Sequence, residues 1–222
     1  MIRFPFLEQF DVTAVMSDYS DGDCRERGGS EAFIRSAKLS LNLPLHMLSQ
    51  IHSADVVEAC VLHDGVEADA FVSHESDRIM GIRIADCVPV YIFDPITRSG
   101  ALVHAGREGT SKQITAKAVD AMCEIYGSMK ENIYAVIGPS AGPCCYEVSE
   151  EMAHGFDECG GVTEGRNLDL WQSNLEQLIQ QGLLKKHIEV IDICTICSNQ
   201  FHSYRANAPS ARNIAILHIH PK

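Results

Sequence analysis

Residues 81–110 read GIRIADCVPVYIFDPITRSGALVHAGREGT. The short apolar runs IMGIRIAD, VPVYIFD and ALVHAG fall in it or at its edge. They are rich in β-branched and aromatic residues and are bounded by Asp, Pro and Gly, which predicts strands. Cys87 follows the first run and His104 stands near the end of the third. Both reactive side chains therefore sit where a strand meets a turn, a place where ligands can converge while the strands stay rigid.

Toward the carboxyl terminus, TSKQITAKAVDAMCEIYG (110–127) has apolar residues near every third or fourth position. It predicts a helix capped by Thr110 or Ser111 and ended by Gly127. IYAVIGP (133–139), IEVIDI and NIAILHI predict strands. EVSEEMAHGFDECG (147–160), with Ser149 as cap, and LDLWQSNLEQLIQQG (168–182), closed by Gly182, predict helices. Toward the amino terminus, TAVMS (13–17) and DAFVS (69–73) predict short strands, SDGDCRERGGS (20–30) a loop and EAFIRSAKLSLNL (31–43) a helix. HMLSQIHSADVVEACVL (46–62) holds two strand-like runs around SAD. Strands and helices interleave without a strict βαβ rhythm, and no repeat or linker divides them. The expectation is one mixed α/β domain over residues 1–222.

Composition narrows the function. With 18 Lys and Arg against 30 Asp and Glu, the net charge is −12. That field repels phosphate backbones, so no nucleic-acid partner is expected, although a local arginine cluster can still hold a small anion. No apolar run approaches the roughly 20 residues of a membrane span, so no membrane partner is expected either. The opening MIRFPFLEQFDV lacks the basic-then-apolar order of a signal peptide, and a cytoplasmic location is expected. Nine cysteines, unevenly spaced, do not read as a disulfide framework. Cys194 and Cys197 form a CxxC pair, a redox or zinc half-motif with no second CxxC after it. Adjacent Cys144 and Cys145 read as packing residues.

The best constellation for chemistry is His52 in QIHSADV, Cys87 in IADCVPV and His104 in VHAGREG. Two imidazoles and a thiolate suit zinc, and three protein ligands leave a fourth position for water or substrate, the pattern of a catalytic site. Buried thiols and hydrogen-bonded strand-end histidines are the competing explanation. Arg107 and Glu108 flank a turn before a helix start, where an anion is favoured, or they form a surface ion pair. The loop IGPSAGPCCYEVSEE (137–151) could line a substrate site or be a buried turn. Tyr204, Arg205 and Arg212 offer a stacking ring and phosphate-binding forks, or a solvated loop. His218 and His220, followed by Pro221, read as an exposed terminus.

From about residue 46 onward, QIHSADV, DAFVS, IADCVPVYIFDP, VHAGREGT, IGPSAGPCCYEV, LDLWQSNLEQL and SYRA occur in the order of a known family. The chain resembles the laccase-domain, or multicopper polyphenol oxidase, proteins, and within them the bacterial purine nucleoside phosphorylases. That resemblance implies a layered α/β/β/α sandwich. It implies phosphorolysis of adenosine, inosine or methylthioadenosine, with adenosine deaminase activity, so that the partners are a nucleoside and phosphate. It places the zinc ligands on His52, Cys87 and His104; Arg107, Tyr204 and Arg205, read from their residue types, are the candidates for substrate. The family's HAGWRG reads HAGREG here, and its early arginine segment is replaced by SDYSDGDCRERGG, leaving Arg25 or Arg27 as substitutes. Other readings are copper-dependent phenol oxidation, hydrolytic editing of a cell-wall precursor in the same pocket, and a non-enzymatic zinc-binding module. Oligomeric state is left open.

Overall fold

The computed structural model describes residues 1–37, 43–59, 65–206 and 210–222. In chain order the strands are β1 (Ile2–Arg3), β2 (Val12–Met16), β3 (Leu45–Met47), β4 (Val56–Glu58), β5 (Ala70–Ser73), β6 (Ile79–Ile84), β7 (Val88–Asp94), β8 (Ser99–Ala105), β9 (Tyr134–Ile137), β10 (Val162–Glu164), β11 (Asn167–Asp169), β12 (Ile188–Val190) and β13 (Asn213–Ile219). The helices are α1 (Pro5–Glu8), α2 (Arg27–Ser36), α3 (Arg107–Ser111), α4 (Ile114–Tyr126), α5 (Glu150–Glu158) and α6 (Leu170–Gln181). One five-stranded sheet runs β1-β2-β13-β6-β3, a six-stranded sheet runs β12-β9-β7-β8-β5-β4, and β10 and β11 form a small hairpin.

Alternation along the strands sets the layers. On β7, Tyr91 and Phe93 face the other sheet, while Val88, Val90 and Ile92 face the helices. On β13, Ala215, Leu217 and Ile219 face the six-stranded sheet, while Ile214 and Ile216 face outward onto Phe33 and Ile34 of α2. A side-chain period of two on strands buried on both faces gives three apolar layers. The order is α2, five-stranded sheet, six-stranded sheet, then α4, α5 and α6: the α/β/β/α sandwich. The hydroxyl of fully buried Tyr91 donates to the carbonyl of Val15 at 2.8 Å, tying the two sheets together.

Several local expectations are corrected. The helix expected over 110–127 is two helices, because Gln113 turns left-handed (φ 63°) between α3 and α4. Thr110 and Ser111 lie inside α3 and cap nothing; Thr110 Oγ1 accepts from Asn174 of α6 at 3.2 Å. Gly127 does end α4 (φ 71°). Ser149 caps α5 through the Met152 N–H, and Gly182 closes α6. Helix α2 starts at Arg27, inside the stretch expected as loop; one of its two glycines is there for close packing, since a Cβ on Gly29 would lie 2.0 Å from the Asp23 carbonyl oxygen. The expected continuation over 38–42, and the end of the strand-like run at 60–62, lie outside the described residues. His218 is not on an exposed terminus. It is buried in β13, a strand paired on both sides, and its Nδ1 donates to the Arg78 carbonyl at 3.0 Å.

Candidate active site

Strand register builds the centre of the site. Strands β7 and β8 are antiparallel with Val88 opposite Ala105 and Pro89 opposite His104. Cys87, one residue before β7, therefore comes beside the end of β8. The chain also crosses from the five-stranded sheet to the six-stranded one at Ala85–Cys87, opening a cleft at the crossing. Gly106 must be small there: a Cβ would sit 2.9 Å from Cys87 Sγ and 3.3 Å from His52 Cδ2.

His52 arrives on the loop between β3 and β4 in a left-handed conformation (φ 58°). Asp69, fully buried just before β5, holds that loop. Its carboxylate accepts from the backbone N–H groups of Ile51 (3.2 Å), His52 (3.1 Å) and Ser53 (2.6 Å) and from the Ser53 hydroxyl (2.9 Å). It also accepts from His104 Nδ1 at 2.8 Å, which fixes the tautomer and turns Nε2 toward the cleft. One carboxylate thus positions both histidines. The ligating atoms of His52, Cys87 and His104 all lie within 4.8 Å of one another. Tetrahedral zinc with these donors needs separations of about 3.4–3.8 Å, which lie inside that bound. The donor set, the tautomer and the space left by Gly106 fit a metal.

The electrostatics fit as well. Burial pushes the Cys87 thiol up, but the charge of His104 and hydrogen bonds with His104 and His52 outweigh it and bring the thiol to about 6. Burial pushes His104 down, but the Cys87 thiolate and the Asp69 hydrogen bond carry it to about 9. His52 is raised, chiefly by its hydrogen bond with Cys87. The metal-free site at neutral pH is thus a thiolate paired with the protonated His104 imidazole, and a cation entering it displaces that proton. In metal-free protein, alkylation of Cys87 by iodoacetamide, followed on its peptide by mass spectrometry, is expected to show a pH midpoint near 6. The thiolate is present above that pH and lost below it. His104→Ala should move the midpoint up toward the ordinary thiol range; an unchanged midpoint would refute the pairing.

The cleft has a volume of about 670 Å³. Besides His52, Cys87 and His104, the residues Arg83, Arg107, Tyr146, Tyr204, Arg205 and Arg212 line it. The structure thus brings Arg107, Tyr204 and Arg205 to the same cleft as the His52, Cys87 and His104 cluster. Arg107 pairs with Glu108 at 2.5 Å. Arg205 lies over the Tyr146 ring at 4.4 Å and donates to the Glu147 carbonyl at 2.7 Å, which holds its fork in place. Arg25 and Arg27 do not line the cleft; they pair with Glu26 and Glu31 on the surface. Sequence reasoning missed Arg83, whose Nε is buried without a hydrogen-bond partner, and Asp69. It also missed Asp86, which accepts from the Thr195 hydroxyl at 2.7 Å and from the Arg205 N–H at 2.9 Å. Cys144 and Cys145 are not buried packing residues: they meet Cys194 and Cys197 in a second cluster.

These features define a layered mixed α/β protein with a polar cleft at the sheet crossing. The same fold occurs in the Bacillus licheniformis protein YfiH, with a TM-score of 0.80 at 23% identity, covering 96% of this chain and 94% of that one. The profile of the family described as multi-copper polyphenol oxidoreductase laccase matches residues 19–220, and the chain belongs to that family. It is 31% identical over 171 residues to a purine nucleoside phosphorylase of Clostridium acetobutylicum, covering 74% of this chain and 72% of the relative. It is 36% identical over 155 residues to a purine nucleoside phosphorylase of Aquifex aeolicus, covering 69% and 72%. Among the described residues no helix is long and apolar enough to cross a membrane.

Proposed function

We propose that this protein is a zinc-dependent purine nucleoside phosphorylase that cleaves adenosine, inosine or methylthioadenosine with phosphate and also deaminates adenosine. The observation that carries this reading is the convergence of His52, Cys87 and His104 in a cleft lined by four arginines and two tyrosines. The names borne by the relatives agree with it.

Zinc, when bound by the three ligands, supplies Lewis acidity for attack on the purine ring and for charge on the departing base. The chain's own residues do the rest. The tyrosines give flat faces for a purine, and the arginines give forks for phosphate. In phosphorolysis a phosphate oxygen bonds to the anomeric carbon while the glycosidic bond breaks. Its electron pair leaves with the base, which takes up a proton. Phosphate must therefore stand beside the sugar, and the candidates to hold it are Arg205, whose guanidinium is held by Tyr146 and Glu147, and Arg83, whose buried Nε has no hydrogen-bond partner among the described residues. Arg107, already paired with Glu108, is the weaker candidate. Phenol oxidation by several coppers is less well supported. It needs several histidine-rich sites, and the described residues gather one His₂Cys set and one set of four cysteines.

Incubation of the zinc-loaded protein with adenosine and phosphate is expected to give adenine with ribose 1-phosphate, and inosine from the competing deamination. Formation of no adenine, inosine or hypoxanthine would sink the reading. Arg83→Gln is expected to raise the KM for phosphate about 10–100-fold, the loss of one charge-assisted contact of about 1.5–3 kcal/mol. Deamination, which needs no phosphate, should change little and serves as the internal control.

A further inference from the structure

Four cysteines outside the cleft floor form a second donor set. Strands β9 and β12 are parallel neighbours with Ile137 opposite Val190, and the pairing continues past their ends as a bridge between Ser140 and Cys194. Thr195 N–H donates to the Ser140 carbonyl at 2.9 Å. The two loops that follow therefore run side by side, one carrying Cys144 and Cys145 and the other Cys194 and Cys197. Their four sulfurs all lie within 4.8 Å of one another. Cys144 Sγ stands 3.5 Å from Cys145 Sγ and 3.9 Å from Cys197 Sγ, and the cysteines are free thiols.

We propose that these four cysteines bind a structural zinc ion in a closed tetrahedral thiolate site. A disulfide needs sulfurs about 2.05 Å apart. Four thiolates around zinc, each at about 2.3 Å, stand about 3.8 Å from one another; the Cys144–Cys145 and Cys144–Cys197 separations of 3.5 and 3.9 Å match that spacing, and all four sulfurs lie within 4.8 Å. Four thiolates this close repel unless a cation lies among them, and the chain prepares them for one. The Gly142 N–H donates to Cys194 Sγ at 3.3 Å, and the backbone N–H groups of Ile196 and Cys197 also hydrogen-bond to it. Backbone donors to sulfur offset the net negative charge that four thiolates leave on one divalent ion. Two loops each give two ligands, and no coordination position is left for substrate. Cys144 and Cys197 are exposed, which gives the ion a way in.

The position gives this site its purpose. The first loop continues to Tyr146 and Glu147, and the second to Tyr204 and Arg205. Both reach Asp86 beside Cys87, through the Ala141 N–H on its carbonyl at 2.9 Å and through Thr195 and Arg205 on its carboxylate. The second ion clamps the two loops that make one wall of the cleft.

Elemental analysis of reduced, zinc-loaded protein tests this. The expected result is two zinc ions per chain. The His52→Ala/Cys87→Ser variant should keep one, and Cys144→Ser/Cys197→Ser should lose the other. Cobalt substituted into the His52→Ala/Cys87→Ser variant should show intense thiolate-to-cobalt charge-transfer absorption. One zinc per chain that vanishes in the His52→Ala/Cys87→Ser variant would overturn the proposal. So would free reaction of all four thiols in the zinc-loaded native protein. If Cys144→Ser/Cys197→Ser fails to fold, the counts for the parent chain and the cleft variant still decide.

Discussion

Cys87→Ala is expected to lower kcat/KM for adenosine by on the order of 10³-fold or more, a loss of about 4 kcal/mol of transition-state stabilisation. It should also lower the metal content by one ion while leaving the protein folded. The thiolate is the only anionic donor of its set, and it lies between His52 and His104 at the point where β7 and β8 come together. Without it, two imidazoles remain, and a divalent ion held by two neutral nitrogens is bound weakly and hydrated. The fold does not depend on the thiol in the same way. Cys87 precedes β7 instead of lying within it, and the strand is anchored by the buried run Val88–Asp94. Removing a part-buried sulfur leaves a small void open to the cleft, a modest cost compared with a core truncation. Circular dichroism and thermal melting beside the activity assay check both halves. Full activity without the thiol would refute its catalytic place. An unfolded Cys87→Ala protein would instead favour a purely structural zinc module.

How much of this the sequence carried depends on the range of the interactions. Strands were legible because alternation and β-branching act locally, and NIAILHI and VPVYIFD became β13 and β7 with little change. The break between α3 and α4 was not legible. Glutamine is a good helix former, and nothing local marks Gln113 as left-handed; the helices on either side of it are tied through Thr110 and Thr115 to Asn174 of α6, some 60 residues away. In the site, His52, Cys87 and His104 stood out by residue type, but their separations carry no geometry; that comes from the β7–β8 register and the β3–β4 loop. Asp69 was hidden because it opens an apolar run, DAFVS, and read as the edge of a strand. The signal that could have found it is an acid beside residues destined for full burial, which must be paired. The second cysteine cluster escaped because the partner of a CxxC was sought in another CxxC. An adjacent Cys-Cys pair on a neighbouring loop supplies two sulfurs equally well.

Asp69→Asn is expected to weaken the metal about 10–100-fold, as changes to the residue behind a ligating histidine do, and to destabilise the metal-free protein by about 2 kcal/mol at neutral pH. The first effect follows from His104. An ionised carboxylate only accepts, so it holds the proton on Nδ1 and leaves Nε2 for the metal. An amide can present its N–H₂ group instead and favour the wrong tautomer. The second effect follows from the donors on Asp69: three backbone N–H groups, the Ser53 hydroxyl and His104. An amide oxygen serves fewer of them and without charge. Burial pushes the Asp69 carboxyl up, but the hydrogen bonds with His104 and Ser53 outweigh it and lower it from 3.8 to about 2. A carboxyl whose folded value is depressed stabilises the protein fully above its unfolded value and loses that contribution as pH falls through the folded one. The stability gap between parent and Asp69→Asn, measured by urea unfolding of metal-free protein, should therefore be constant between about pH 5 and pH 6, narrow progressively below pH 4 toward pH 2, and narrow again as pH rises through about 9, where the His104 proton that Asp69 holds is lost. A gap that stays constant to low pH would mean that the loop carrying His52 is held by something other than this carboxylate.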